Sequence, residues 1–407
     1  MTNTEDRLAD ALAAVARGVR EETLPPLPAR SASPGRRRWA RWLAPLAAAA
    51  GVTLIVVLAA AIPPLFSSST PGGEQTTGLP RYYATVEQGG VFVRDTATGT
   101  VTAKIPNKSS RNGSFERYAV SVAAANGGRE FVAAYTGTIP PTSQQQTELY
   151  SFHLTTAGRV TGLSLVKGGQ ITGLLAGAGP LASKDIAVSP DGSKVALALY
   201  RPLPQPPRNP RPAAEIVVVN LRTGTHDLWQ GGLQRPGMNF NIPSISWQPS
   251  GNTLVFLARW CHSEITGTAF CQPGSNYAQV RTLRLGAGGG PLTQGNALLS
   301  QSARYPNIVQ ALPGPNARSL IMVILRGPDA GPIPVPQRLQ VIQVPLSGSE
   351  PPRLLYHGPT GGHIDVFLGA DASGRHLLLA WQSNGWIDHG VLHPLPPQGG
   401  AAFADAW

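Results

Sequence analysis

Turn glycines recur at nearly even spacing through most of this chain of 407 residues. Gly128, Gly192 and Gly251 are separated by 64 and 59 residues, and the 123 residues from Gly251 to Gly374 hold two copies that divide near Asn316. Each copy reads as four short apolar strands joined by tight turns. A four-stranded repeat of about 60 residues is typical of a β-propeller. A single blade would expose its apolar faces to water, and neighbouring blades in a ring bury them.

Six copies of the pattern can be aligned, and they predict an all-β, six-bladed β-propeller, with five or seven blades as alternatives. The clearest copy begins DIAVSPDGSKVALALY at Asp185 and continues with EIVVVNLRTG, Glu215 to Gly224. The earliest copy, RYYATVE followed by GVFVRDTATG and TVTAKI, lacks an innermost strand. We expect the C-terminal segment Ala401–Trp407 to supply this strand and to close the ring.

The turns carry the residues that their geometry requires. Ser189-Pro190-Asp191-Gly192 places Pro and Asp where a type I turn favours them, and Gly where φ is positive. The segments Asp95–Gly99 and Asn220–Gly224 are typical of hairpin loops that end on a left-handed glycine. Several such turns at even spacing are difficult to attribute to chance.

A strand–SPDG–strand element followed by a strand that ends in D-x-x-T-G resembles the WD-repeat and TolB-like propellers. The resemblance covers Pro80 to the C-terminus, and TolB-like is the closer description, because the Gly-His and Trp-Asp dipeptides of WD repeats are absent from their usual places. The motif implies the fold and says little about activity. The whole layout also resembles membrane-anchored propeller proteins of GC-rich bacteria, some of which accompany sigma factors.

Composition excludes several other classes of protein. The 46 Gly and 39 Pro argue against a mostly helical body, and the 42% hydrophobic content argues against full disorder. The net charge of +11 divides into +3 up to Arg41 and +8 over the remainder. Because nucleic-acid binding needs basic residues concentrated on one face, this spread predicts no nucleic-acid partner.

One segment predicts a membrane crossing. Trp42–Ile62 comprises 21 residues without a formal charge, which matches the length of helix that a bilayer core requires. The arginines at 36–38 and 41 favour a cytoplasmic N-terminus. We therefore predict a cytoplasmic segment at 1–38, a transmembrane helix at 39–64, a flexible linker at 65–79 and an extracytoplasmic propeller at 80–407. A signal peptide cleaved near Ala59–Ala61 is the alternative.

The cytoplasmic segment contains a predicted amphipathic helix, Thr4–Glu22. Four apolar residues recur at helical spacing on one face, namely Leu8, Leu12, Val15 and Val19. Such a face either docks on a cytoplasmic partner, as in an anti-sigma-like regulator, or lies on the membrane surface, and a partly formed helix is a further alternative.

The two cysteines, Cys261 and Cys271, are predicted to form a disulfide, which suits an exported domain. Two buried thiols are an alternative, as is a metal site with His262 and Glu264, although the spacing matches no common metal pattern.

One face of the predicted ring carries long connections between the second and third strands of each blade. In blades 2 to 5 these connections are 139–147, 201–213, 261–276 and 327–337, and they are rich in proline or spanned by the cysteines. Insertions on one side of a repeat often mark a binding face. The candidate binding residues are Pro140, Pro141, Arg201, Pro204, Arg208, Arg211, His262, Pro332, Pro334 and Pro336.

Motifs for catalysis are missing from the sequence. There is no G-x-S-x-G elbow and no P-loop, and Asp185 and Asp191 belong to a group of aspartates that includes several turn formers. We therefore expect no catalytic, cofactor or metal residues and a non-enzymatic protein. The sequence favours an envelope binding or scaffolding module, with the transmembrane regulator and a propeller hydrolase as alternatives.

Overall fold

The computed structural model describes residues 79–87, 90–109, 116–125, 128–139, 144–175, 185–201, 213–233, 235, 238–262, 276–286, 288–315, 317–327, 337–348, 350–361, 367–370, 376–381, 383–395 and 403–406. All of them belong to one compact unit, Gln75–Trp407. No helix among these residues is long and apolar enough to cross a bilayer. The predicted membrane segment and the predicted helix Thr4–Glu22 lie outside them.

The described part of the chain consists almost entirely of β-strands, with one short 3-10 turn at Leu292–Gln294. In chain order the strands are β1 (Tyr82–Glu87), β2 (Gly90–Asp95), β3 (Val101–Pro106), β4 (Lys108–Ser109), β5 (Glu116–Ala124), β6 (Glu130–Ile139), β7 (Gln144–Leu154), β8 (Val160–Thr172), β9 (Leu174–Leu175), β10 (Ile186–Val188), β11 (Lys194–Arg201), β12 (Ala213–Asn220), β13 (His226–Gln230), β14 (Met238–Trp247), β15 (Thr253–His262), β16 (Asn276–Arg284), β17 (Asn296–Ser300), β18 (Ile308–Pro313), β19 (Ser319–Arg326), β20 (Gln337–Pro345), β21 (Arg353–Gly361), β22 (Phe367–Ala370), β23 (Leu377–Trp381), β24 (Ser383–Asp388), β25 (Val391–Pro394) and β26 (Phe403–Ala406).

These strands form six antiparallel sheets, which are the six blades of a β-propeller. Blade 1 contains β26, β1, β2 and β3, blade 2 contains β5 to β8, and blade 3 contains β10 to β13. Blades 4, 5 and 6 contain β14 to β17, β18 to β21 and β22 to β25. Strand β4 extends blade 2, and β9 pairs with β11 beside β10, so the innermost strand of blade 3 has two pieces. The predicted all-β, six-bladed fold is confirmed.

The ring closes through the C-terminal strand. Strand β26 pairs antiparallel with β1, and Val86 lies opposite Phe403. Each innermost strand contacts the next around the ring, in the order β26, β5, β10, β14, β18, β22 and back to β26. The expectation that the C-terminal segment supplies the missing strand of blade 1 is therefore confirmed.

Apolar side chains fill the spaces between blades. Within the described residues there are six hydrophobic clusters, one between each pair of neighbouring blades. Successive side chains of a strand point to opposite faces. In β11, Val195 and Leu197 therefore pack in the cluster between blades 2 and 3, and Ala196 and Ala198 pack in the cluster between blades 3 and 4. A strand buried on both faces reads as the continuous apolar run seen in the sequence.

The turns between first and second strands share one hydrogen-bond pattern. The Ser189 amide donates to the Lys194 carbonyl at 2.8 Å, and the Gly192 amide donates to the Ser189 carbonyl at 2.8 Å. The same pair of bonds occurs in the turns that start at Ala125, Gln248 and Gly314. The fourth residue of each turn has positive φ, with values of 62° at Gly128, 68° at Gly192, 72° at Gly251 and 55° at Ala317.

The blade 3 turn is strengthened by its aspartate. Asp191 Oδ1 accepts from Ser189 Oγ at 2.6 Å, and Oδ2 accepts from Ser193 Oγ at 2.7 Å. These bonds, the one from Ser189 foremost, lower the pKa of Asp191 to about 2. The sequence prediction of a turn at this aspartate is confirmed.

We predict opposite effects for exchanges at two equivalent turn positions. Gly251→Ala should lower the free energy of unfolding by about 1 kcal/mol, because an L-residue is strained at positive φ. Sterics add little, since the nearest atom to the new Cβ would be Pro190 Cδ at 3.9 Å. Ala317→Gly should raise stability by a similar or smaller amount, because it relieves the same strain. Urea unfolding measures both changes.

Gly286→Ala is the matched control for these exchanges. Gly286 is absent from the positive-φ residues, and a Cβ there would meet nothing within 4 Å. We expect this variant to be neutral or slightly stabilising. Equal destabilisation by Gly251→Ala and Gly286→Ala would show that the turn geometry is wrong.

Candidate functional site

The second strand of every blade ends, and the third begins, at one face of the ring, which we call the loop face. The connections there are long in three consecutive blades, at residues 202–212, 263–275 and 327–336. Blades 1 and 6 have short connections, 88–89 and 382. The strands that flank these three connections therefore end and begin at the loop face, while the candidate binding residues within the connections stay a prediction.

Blade 2 differs from the expectation. Residues 139–147 were expected to form a long connection, but β6 extends to Ile139 and β7 begins at Gln144, which pairs with it. The pairing is unbroken from Glu130 opposite His153 to this end, so the polar segment continues the hairpin ladder and leaves only 140–143 as the connection.

Most of the candidate binding residues predicted from the sequence lie outside the described residues. This group comprises Pro140, Pro141, Pro204, Arg208, Arg211, Pro332, Pro334 and Pro336, together with Cys271. Arg201 ends β11, and Cys261 and His262 end β15, where the backbone of His262 pairs with Met238. The disulfide between Cys261 and Cys271 stays a prediction.

A group of buried polar side chains lies near the ring axis below the loop face. We call it the axial polar cluster. Asp185 and Asn307 immediately precede the innermost strands β10 and β18, Asn241 lies in β14, and Tyr200 and Arg259 lie near the ends of β11 and β15. Their exposed fractions are 1% for Asp185, 5% for Asn307, 8% for Asn241 and Arg259, and 9% for Tyr200. The cluster thus joins blades 3, 4 and 5.

Arg259 is the positive charge of the cluster. It lies opposite Asn241 in the strand register, and its Nη2 donates to the carbonyls of Ile308 at 3.0 Å and Val309 at 3.4 Å. Burial lowers the pKa of this guanidinium to about 10, while Tyr200 acts in the opposite direction. Arg259 therefore remains charged at neutral pH in a desolvated position.

Tyr200 connects the charged members of the cluster. Burial raises the pKa of its phenol above the ordinary value, and Asp185 acts in the same direction. Arg259 and a side-chain hydrogen bond with Asn241 oppose that shift. The phenol therefore stays protonated, and its hydroxyl interacts electrostatically with both the Asp185 carboxylate and the Arg259 guanidinium.

Two amide atoms of the cluster have no hydrogen-bond partner in the part of the chain that the structure describes. They are Asn241 Oδ1, an acceptor, and Asn307 Nδ2, a donor. Buried polar groups are normally satisfied, because an unmet hydrogen bond costs free energy. These two atoms beside a buried arginine make the axial polar cluster the candidate site of this structure.

An aromatic cluster lies at the loop-face end of blade 4. The Arg235 guanidinium lies 4.5 Å from the ring centroid of Trp260 and 4.3 Å from that of Tyr277. Trp260 Nε1 donates to the Leu233 carbonyl at 2.5 Å, and its ring is tilted against Phe240. These contacts hold the connection from blade 3 to blade 4 against strands that flank residues 263–275.

Side chains also join neighbouring blades near the axis. Gln310 Nε2 donates to the Leu368 carbonyl at 2.6 Å, and the Leu368 amide donates back to Gln310 Oε1 at 2.8 Å. Trp247 Nε1 donates to the Ala187 carbonyl at 2.8 Å. These bonds fix the innermost strands relative to one another, so the cluster is set on a rigid frame.

The sequence prediction did not include this cluster, although one signal was present. Arg259 and Gln310 interrupt strands that are otherwise apolar, and a polar residue in a buried strand usually has a partner or a function. Asp185 was grouped with the turn-forming aspartates, but the structure buries it before β10. Among the described residues, no group of three or more His, Cys, Asp or Glu side chains lies close enough together to hold a metal ion.

No protein-family model matches the chain, and no curated protein resembles it in sequence. Solved structures of similar shape include the Pyrococcus horikoshii acylaminoacyl peptidase, at 10% identity and a TM-score of 0.38, over 68% of this chain and 39% of that chain. They include the periplasmic gluconolactonase of Pseudomonas aeruginosa, at 14% identity and a TM-score of 0.42, over 79% and 97% of the two chains. The propeller domain of the Pyrococcus furiosus trilobed protease matches at 11% identity and a TM-score of 0.34, over 69% and 84%.

The expectation of a non-enzymatic protein is therefore withdrawn, since the structures of similar fold include a peptidase and a gluconolactonase and the fold does not exclude activity. The lack of familiar motifs in the sequence does not exclude activity, because catalytic groups come together only in the folded ring. This chain spans about two fifths of the length of the acylaminoacyl peptidase. At such low identity the likeness concerns the fold alone, and it assigns no activity.

We predict a pH-dependent effect for Gln310→Glu. The introduced carboxylate cannot donate to the Leu368 carbonyl, and its burial raises its pKa in the folded state. The variant should lose about 2–4 kcal/mol at pH 7 and regain part of it as the pH falls, because the protonated acid can donate again. Thermal unfolding from pH 7 to pH 4, relative to the wild type, measures the change.

Gln310→Ala is the control for this prediction, because it removes both bonds without adding a titrating group. We expect a destabilisation that changes little with pH relative to the wild type. An equal pH response of the two variants would contradict the assigned pairing with Leu368.

Proposed function

We propose that this protein is a membrane-anchored, extracytoplasmic binding module whose loop face contacts a ligand or partner at the cell envelope. One observation carries the proposal, namely that the long connections and the axial polar cluster belong to the same three consecutive blades. A rigid ring that holds variable connections around a polar centre is a common arrangement for recognition.

The composition of these connections supports the same function. Proline is frequent in residues 202–212 and 327–336, and it limits the conformations that an unbound segment explores. A stiffer segment loses less entropy when it binds. Arg201, Arg208 and Arg211 add positive charge to the connection of blade 3 and its flank, which favours a partner with negative charge.

The location of the propeller follows from the predicted anchor. Trp42–Ile62 is long enough to span a bilayer, and the arginines before it favour a cytoplasmic N-terminus. The propeller is then exported and tethered by the linker at 65–79. We thus propose a TolB-like propeller with this membrane topology, which acts as a scaffold or binding module.

We predict that protease added to intact spheroplasts removes the propeller and leaves a membrane-bound stub with the N-terminus. An epitope before Thr4 should stay protected, and an epitope after Trp407 should be lost. The measurement is immunoblotting of both tags, with a cytoplasmic protein as the integrity control. Protection of the C-terminal tag in spheroplasts would contradict the topology.

We predict that the loop-face arginines contribute to capture of the partner. Replacing Arg201, Arg208 and Arg211 by alanine should reduce the yield of partner in native-membrane cross-linking by about three- to tenfold, because it removes electrostatic attraction. The matched control replaces three exposed arginines that lie at the turns of the opposite face, namely Arg129, Arg159 and Arg222. Equal losses in both triple variants would contradict a specific role for the loop face.

A further inference from the structure

The strongest unexplained feature of the structure is the buried cation at Arg259. Among the described residues, no carboxylate lies within ion-pair distance of its guanidinium. A buried charge is costly unless an opposite charge or several hydrogen bonds compensate it. The hydrogen bonds that the described residues provide for this guanidinium are those from Nη2 to two backbone carbonyls of blade 5.

The unpartnered amide atoms lie on elements that adjoin this cation. Asn241 is the register partner of Arg259, and Asn307 directly precedes Ile308, whose carbonyl accepts from Arg259. Asn307 Nδ2 can donate, and Asn241 Oδ1 can accept. The cluster therefore combines an anion-binding group, a second donor and an amide acceptor with the buried carboxylate of Asp185.

A purely structural role for Arg259 accounts for only part of this arrangement. A cross-blade link to the carbonyls of Ile308 and Val309 explains the position of Nη2. It does not explain why Asn241 Oδ1 and Asn307 Nδ2 are buried without hydrogen-bond partners. Apolar side chains at these two positions would avoid the cost of burying unsatisfied polar atoms.

We propose that the axial polar cluster binds a carboxylate group that has a hydroxyl or amino group beside it. Arg259 pairs with the carboxylate in the two-pronged manner that guanidinium favours, and Asn307 Nδ2 donates a further bond to it. Asn241 Oδ1 accepts from the adjacent hydroxyl or N–H. This assignment rests on the proposed binding function, and it names the ligand chemistry of the same face.

Charge favours a carboxylate over a phosphate. Asp185 is buried in the same cluster and acts on Tyr200, so negative charge on a ligand beyond the one that Arg259 pairs with is disfavoured there. A carboxylate carries one negative charge, whereas a phosphate carries nearly two and is repelled more strongly by the acid. Two sources share the required chemistry, namely a free small hydroxy or amino acid and the C-terminal carboxylate of a peptide.

The experiment uses the full chain in detergent micelles and calorimetric titration with defined probes. The probes are sodium lactate, glycine, the dipeptide Gly-Ala, its C-terminal amide and inorganic phosphate. We expect binding of lactate or glycine if the source is a free acid, and of Gly-Ala but not its amide if the source is a peptide terminus. Binding of phosphate alone, or of none of these probes, would overturn the proposal.

Variants assign the binding to the cluster. Arg259→Gln should weaken the binding of the carboxylate probe about tenfold to hundredfold, because it removes a charge-assisted pair of bonds. Asn307→Gly should weaken it several-fold, and glycine suits the φ of 42° at this position, so this variant keeps the test valid if Arg259→Gln does not fold.

Arg281→Gln is the matched control, because Arg281 lies in the same blade and donates to the Gly295 carbonyl, away from the cluster. It should leave probe affinity unchanged. Unchanged affinity in Arg259→Gln and Asn307→Gly would overturn the assignment. Failure of this titration while the loop-face arginines still govern partner capture would refute the ligand chemistry alone and leave the proposed function standing.

Discussion

The packing of each blade against both of its neighbours is the interaction on which the rest of the structure depends. A single sheet of this protein has apolar side chains on both faces of its second strand, and it can bury neither face by itself. The ring satisfies all six blades at once, because each gap between neighbours becomes a hydrophobic cluster. The pairing of β26 with β1 joins the two ends of the domain, so the first and last blades gain the same protection as the others.

The same constraint makes the polar exceptions informative. Where apolar walls provide the stability, a charged or amide group inside them must be compensated or serve another purpose. The side-chain amide of Gln310 forms hydrogen bonds with both the carbonyl and the amide of Leu368, and these bonds link blade 5 to blade 6. The axial polar cluster is compensated only in part, and it lies beneath the three long connections. Apolar packing thus lies between the blades, and the buried polar groups of the cluster lie near the axis at the loop face.

The sequence predicts the ring well because its information is local and repeated. Gly128, Gly192 and Gly251 mark turns whose positive φ glycine tolerates best, and the strands between them follow from apolar runs. The fourth such turn carries Ala317 in place of glycine, so the sequence locates it only approximately, near Asn316. The two-piece innermost strand of blade 3 was not predicted, because β9 is two residues long and its pairing with β11 is set by tertiary structure.

The candidate site was much less predictable. Alternation tells which face of a strand a residue occupies, but it does not tell which residues of three different blades meet at the axis. Arg259 and Asn241 meet through the register of β14 and β15, whereas Asn307 joins them only because blade 5 packs against blade 4. The loop residues were selected from composition, and all of them except Arg201 and His262 lie outside the described residues. The expectation of a non-enzymatic protein failed for a related reason, since the absence of a motif describes the sequence rather than the assembled site.

Amide hydrogen exchange of the propeller tests the closed ring most directly. If each blade depends on both neighbours, the slowest amides of the second strands β1, β6, β11, β15, β19 and β23 should exchange through one shared global opening. They should then respond together when denaturant is added, with the same slope and the same extrapolated free energy. Separate free energies for separate blades, with blade 1 opening independently of blade 6, would contradict the account.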